Sequence, residues 1–120
     1  MNIAVVTVST RAASGIYEDR SGERLVALAG EAGHTVIRRE VVPDGESALS
    51  TLLCELCDDP AVALVITTGG TGLTPTDRTP EATAAICERL VPGIAEAIRS
   101  ASVATVPHAL LSRGLAGVRG

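Results

Sequence analysis

Residues 67 to 81, TTGGTGLTPTDRTPE, follow directly on an aliphatic run and combine glycines, threonines, two prolines and an aspartate. Glycine-rich backbone can converge its N–H groups on a phosphate, hydroxyls add donors, and a carboxylate can hold a hard cation beside it. The same glycines could equally serve a tight turn before a helix, since glycine supplies positive φ at no steric cost. The stricter phosphate motifs fail. The chain has no lysine for G-x-x-x-x-G-K-[ST], and Pro75 stands where a G-x-G-x-x-G begun at Gly70 needs its last glycine. A second carboxylate, Asp44 in VVPDGE, and Asp77 in the loop form a pair suited to magnesium carrying a nucleotide. For Asp44 the alternative is a helix N-cap ahead of Gly45, Glu46 and Ser47.

The elements that must place these residues follow from patterning. Ile3 to Ser9 and Ala61 to Thr68 are nearly continuous apolar runs rich in β-branched residues, as in strands covered on both faces. Leu25, Val26, Leu28, Ala29 and Ala32 recur at helical spacing before Gly33. A strand candidate, His34 to Val42, and a helical face of Leu49, Leu52, Leu53 and Leu56 come next. Strand-helix alternation predicts an α/β fold with a mostly parallel sheet and helices on both faces. Ligands of such sheets bind beyond the carboxyl ends of the strands. The loops there are Thr10 to Asp19, Pro43 to Gly45 and Gly69 to Thr79. Thr79-Pro80-Glu81 reads as an N-cap, a first-position proline and a first-turn acid of a helix running to about Leu90. Another helix carries Ile94, Ala95 and Ile98, and Ala109 to Val118 looks strand-like. The turn signal at Val118-Arg119-Gly120 suggests a hairpin that has lost its partner. Residues 1–120 read as a single domain without repeats or linkers.

Composition removes several function classes. The net charge is -4 and Tyr17 is the only aromatic residue, so neither a basic groove nor stacking faces for nucleic acid are present. All ten basic residues are arginine, which excludes a P-loop lysine and Schiff-base chemistry. No apolar run has membrane-spanning length and no signal-peptide pattern opens the chain, which points to the cytoplasm. Cys54 and Cys57 have C-x-x-C spacing but fall inside a helical pattern, while His34, Cys87 and His108 are scattered singly. Ordinary thiols and surface histidines are the expectation.

Together with TVSTRAASGIYEDRSG, VVPDGE and VPHALLSRGLAGVRG, the glycine-threonine stretch resembles the MoaB/Mog family of molybdenum cofactor biosynthesis proteins over essentially the whole chain. The resemblance implies a three-layer α/β/α sandwich, usually a homotrimer, that binds molybdopterin. It implies an adenylyltransferase joining Mg2+-bound ATP to the terminal phosphate of molybdopterin, with a molybdotransferase as a further partner. By the same resemblance Asp44 and Asp77 are the catalytic, metal-binding acids. Gly69, Gly70, Thr71 and Gly72 surround the reacting phosphates; Ser14 and Gly15 match the first-loop pattern, as does Asp19; Ser102 and Ser112 resemble positions that contact molybdopterin, and Arg113 is the arginine of the family's LSR, a further substrate-binding candidate. Thr10 stands where many members have aspartate.

Members of the family continue into a further strand, an N-L-P-G segment and a helix, so the expected domain is C-terminally truncated, missing the last strand and helix. An active transferase, a non-catalytic molybdopterin-binding trimer and an inactive fragment are the three readings that follow.

Overall fold

The computed structural model describes residues 1–120. Strands β1 (Asn2–Val8), β2 (Thr35–Val42) and β3 (Leu64–Thr68) form one parallel sheet in the order β2-β1-β3. The central place of β1 explains its unbroken apolar sequence: alternate residues enter opposite cores. Ala4, Val6 and Val8 pack with Leu49, Leu53 and Leu56 of α3 (Ser47–Asp58) and with Ala82 and Ile86 of α4 (Thr79–Ile86). Ile3 and Val5 meet Ala29 on the other face, which belongs to a helix at Arg20–Glu31. The result is the three-layer arrangement. Leu49 has no exposed surface, so Leu49→Ala should cost about 2–5 kcal/mol, read as a lower urea midpoint at unchanged m.

The parallel register aligns Val8 with Val42 and Thr7 with Thr68. The strand ends therefore release Ser9, Pro43 and Gly69 at one edge, which is what brings the three loops together. A short helix at Thr10–Ala13 opens the first loop, where the sequence suggests only loop; the Ser9 hydroxyl caps it by accepting from Ala12 N at 3.2 Å. We label the helix at Thr10–Ala13 α1 and that at Arg20–Glu31 α2. Cys54 and Cys57 lie within α3, and burial raises the thiol pKa of both Cys57 and Cys87. They are free thiols against the core.

The C-terminal third corrects three expectations. Helix α4 stops at Ile86 instead of about Leu90, because Cys87 turns to extended backbone (ψ 134°) and leads into strand β4 (Arg89–Leu90). After α5 (Pro92–Val103), Pro107–Leu111 forms a 3-10 helix where a strand is expected from Ala109. Only Gly117–Val118 is a strand, β5, and it is not partnerless: it pairs antiparallel with β4. Hydrogen bonds from Glu88 N to Val118 O and from Val91 N to Ala116 O, each 2.8 Å, close that ladder. The apolar segment thus finds its partner about thirty residues upstream, a pairing that no local signal carries. No helix is long and apolar enough to cross a membrane.

Candidate functional site

The glycine turn follows β3. Gly69 and Gly70 both have positive φ, +94° and +67°, and a side chain at Gly69 would collide with the Val8 carbonyl. Their carbonyls face Thr79, whose N–H donates to Gly70 O at 3.0 Å and whose hydroxyl donates to Gly69 O at 2.8 Å. Thr79 is thus not the N-cap that the sequence suggests: it is the first residue of α4, buried, with its hydroxyl spent on the loop. With the carbonyls satisfied from one side, the N–H groups of Gly69, Gly70, Thr71 and Gly72 find no acceptor within the protein. Consecutive free donors of this kind attract an anion.

Arg113 locks the remainder of the loop. Its Nε donates to Gly72 O at 2.8 Å, its Nη2 donates to Asp77 O at 2.7 Å, and its Nη1 pairs with Glu81 in the first turn of α4. Its backbone N–H donates to Thr71 O at 2.8 Å, and the Ser112 hydroxyl lies 3.4 Å from that of Thr71. The hydrogen bond from Arg113 holds the Glu81 carboxyl below its usual pKa of 4.5. A depressed carboxylate stabilises the fold above its unfolded pKa and ceases to do so as pH falls through the folded value. The melting-temperature gap between the protein and Glu81→Gln should therefore be present at neutral pH and close as pH drops below about 4.5. Arg78, just ahead of α4, is paired with Glu46 at 2.9 Å.

The two aspartates share a geometry. Asp77 Oδ2 accepts from Thr74 N at 3.0 Å and Thr74 Oγ1 at 2.7 Å. Asp44 Oδ2 accepts from Thr10 Oγ1 at 3.0 Å and Thr10 N at 3.3 Å, and Asp44 N donates back to Thr10 Oγ1 at 3.1 Å. In each, Oδ1 has no protein partner. The cap reading for Asp44 fails, since α3 has Glu46 at its N-cap position and no side-chain cap bond. Thr10, which the sequence leaves without a role, is what fixes Asp44. No three His, Cys, Asp or Glu side chains gather closely enough to enclose a metal. A cation held here would take its other ligands from a substrate, as magnesium does with phosphates.

Asp19 caps α2 by accepting from Gly22 N at 3.0 Å and pairs with Arg39 at 3.0 Å. Burial pushes its pKa up, but the hydrogen bonds from Arg39 and Gly22 and the Arg39 charge outweigh it, leaving Asp19 ionised below the usual range.

Beside the glycine turn lies a cleft of about 240 Å3 lined by Thr71, Thr79, Thr83, Arg99, Ser112 and Leu115, among others. A second, of about 250 Å3, lies over β1 beside Ser9, Tyr17, Asp19 and Ser21; the two share Thr68 and Gly69. Of the sequence candidates, Gly69, Thr71 and Ser112 line the first cleft. Ser102 does not; its hydroxyl turns back to Ile98 O at 2.8 Å. Ser14 ends α1 with its hydroxyl on Arg11 O, and neither it nor Gly15 lines either cleft. Arg99 escaped the sequence reading, because an arginine on an amphipathic helix looks like solvated surface.

Comparison with known proteins places the chain in a family. Residues 4–119 match the family model described as "probable molybdopterin binding domain". The chain is 39% identical to the molybdopterin adenylyltransferase of Helicobacter pylori strain J99 over 99% of its own length and 69% of that protein. It is also 39% identical to the Escherichia coli K12 enzyme of the same name, of which it covers 62%. The chain thus spans between three fifths and seven tenths of these relatives. A molybdopterin biosynthesis protein from Mycobacterium abscessus superposes with a TM-score of 0.93 at 42% identity, covering 99% of this chain and 75% of that one. With the family model matching residues 4–119 and the parallel sheet shared with its solved relatives, the chain belongs to the molybdopterin-binding domain family.

Proposed function

We propose that this protein is a molybdopterin adenylyltransferase, transferring AMP from ATP to the terminal phosphate of molybdopterin with release of pyrophosphate. One observation carries the reading: four consecutive backbone N–H groups without acceptors, with Asp77 in the same loop and Asp44 beyond β2 at the same sheet edge, each with an uncommitted Oδ1. In this reaction a phosphate monoester oxygen attacks the α-phosphorus of ATP, and the bond to the pyrophosphate oxygen breaks. A phosphate monoester has its second pKa near about 6, so the nucleophile is already ionised at neutral pH and no general base is needed. The protein's task is to hold two polyanions in line and neutralise their charge. The N–H groups of Gly69 to Gly72 do this by donating to phosphate oxygens, and Thr79 and Arg113 keep them aimed. Asp44 and Asp77 would hold Mg2+ through their free oxygens; the ion would screen the phosphate charge.

Substrate-side residues in this reading are Thr71 and Ser112, with Arg113 acting through the loop it clasps and with Ser102, Ser14 and Gly15 as outlying candidates from the family resemblance. Association into a homotrimer is part of the same reading, supported by the exposed Ile94, Ile98, Leu110 and Leu111. So are a cytoplasmic location and delivery of the product to a molybdotransferase, both from the resemblance. The test is pyrophosphate release from Mg-ATP with and without molybdopterin. Release that requires molybdopterin supports the transferase; molybdopterin binding without release would leave a binding protein.

A further inference from the structure

Arg99, half-buried on α5, is the one charged residue that lines the cleft beside the glycine turn, and it pairs with no carboxylate, unlike Arg113, which is tied to Glu81. Its Nη1 alone is engaged, donating to Ser112 O at 3.3 Å and Gly114 O at 2.8 Å. Nε and Nη2 have no acceptor in the protein, and the side chain lines the cleft. Those two nitrogens are not buried, so a guanidinium lining a partly enclosed cleft can exchange water there for a ligand's acceptor.

The surroundings narrow what that acceptor can be. Ala95, Ile98 and Leu115 give one side of the cleft apolar surface, and Thr68, Thr71, Thr83 and Ser112 add hydroxyls to the rest. Mixed walls of this kind suit a flat heterocycle with hydrogen-bonding edges. The two heterocycles of the proposed reaction differ at the decisive edge. A pterin carries a ring carbonyl oxygen, an acceptor; adenine carries an exocyclic amine there, a donor that a guanidinium cannot pair with.

Resting on the transferase reading, we infer that Arg99 is a specificity-determining residue that receives the pterin carbonyl through its free donor edge and excludes adenine from this cleft. The pinned Nη1 fixes the plane of the guanidinium, so the remaining donors are presented without further ordering cost. The adenine is then left to the second cleft, across Thr68 and Gly69, and the phosphates of both substrates meet at the glycine turn between them.

The test measures dissociation constants of the full chain for molybdopterin and, separately, for Mg-ATP by equilibrium dialysis, with melting temperatures, for the protein, Arg99→Gln and Arg99→Lys. Losing a charged hydrogen bond should weaken molybdopterin binding roughly tenfold or more. ATP binding should stay within about twofold, and the melting temperature should fall only by what the bonds to Ser112 O and Gly114 O contribute, with lysine recovering only part of the molybdopterin affinity. Four results would overturn the inference: weakened ATP binding alone, weakened binding of both ligands with a lowered melting temperature, full recovery by lysine, or no change. The third of these would show that charge alone suffices, and the second that Arg99 only clasps the Ser112 to Gly114 backbone. Should the unaltered chain bind no molybdopterin, the transferase reading falls with it; failure confined to the variants leaves that reading standing.

Discussion

Asp77→Asn should lower kcat/KM for molybdopterin adenylylation by about 10²-fold or more while the melting temperature barely moves. The two effects separate because the substitution keeps what folds the loop. Asparagine still offers an oxygen in the place where Asp77 Oδ2 accepts from the Thr74 N–H and hydroxyl, and the Asp77 carbonyl remains available to Arg113. Only the negative charge disappears, and with it the attraction of the free oxygen for a divalent cation. A change of 10²-fold corresponds to about 2.7 kcal/mol of transition-state stabilisation, whereas the stability change should stay within about 0.5 kcal/mol. Steady-state kinetics beside a thermal melt would check it. An active Asp77→Asn protein would reduce Asp77 to a turn former.

Gly69→Ala should have the opposite signature, losing stability and activity together. At φ +94° a residue with a side chain is strained. Here the new Cβ also has nowhere to go, because it would overlap the backbone carbonyl of Val8 on the central strand. Backbone in a fully paired sheet cannot step aside as a flexible side chain can. The cost should be about 3 kcal/mol or more, visible in urea unfolding. Relief by rotating the peptide would turn the Gly69 carbonyl away from Thr79 and scatter the free N–H groups. Unchanged stability and activity would mean that the turn is looser than its hydrogen bonds to Thr79 indicate.

How much of this was legible in the sequence depended on distance along the chain. β1 announced itself because a strand covered on both faces must be apolar at every position, and Ile3 to Val6 are buried accordingly. Asp77 was legible because its loop, its glycines and the following proline lie in one short stretch. Asp44 was half legible: its position at the sheet edge followed from the strand before it, but its partner Thr10 is 34 residues away. The clasp made by Arg113 on Gly72 and Asp77 has the same character. β4 and β5 are two residues each, too short for periodicity to register. Their pairing replaced the open strand that Ala109 to Val118 suggested. Arg99 was invisible because helical spacing says which face it occupies but not that α5 lays that face over a cleft.

In the proposed reaction the α-phosphate of ATP is joined to molybdopterin at the glycine turn. Incubating the chain with molybdopterin, magnesium and either α-labelled or γ-labelled ATP, and then locating the label, tests this without intermediaries. Label from the α-phosphate should appear on the pterin product while the γ-label leaves as pyrophosphate. Label from the γ-phosphate on the pterin, or neither label transferred by a folded protein that binds both substrates, would refute the reaction.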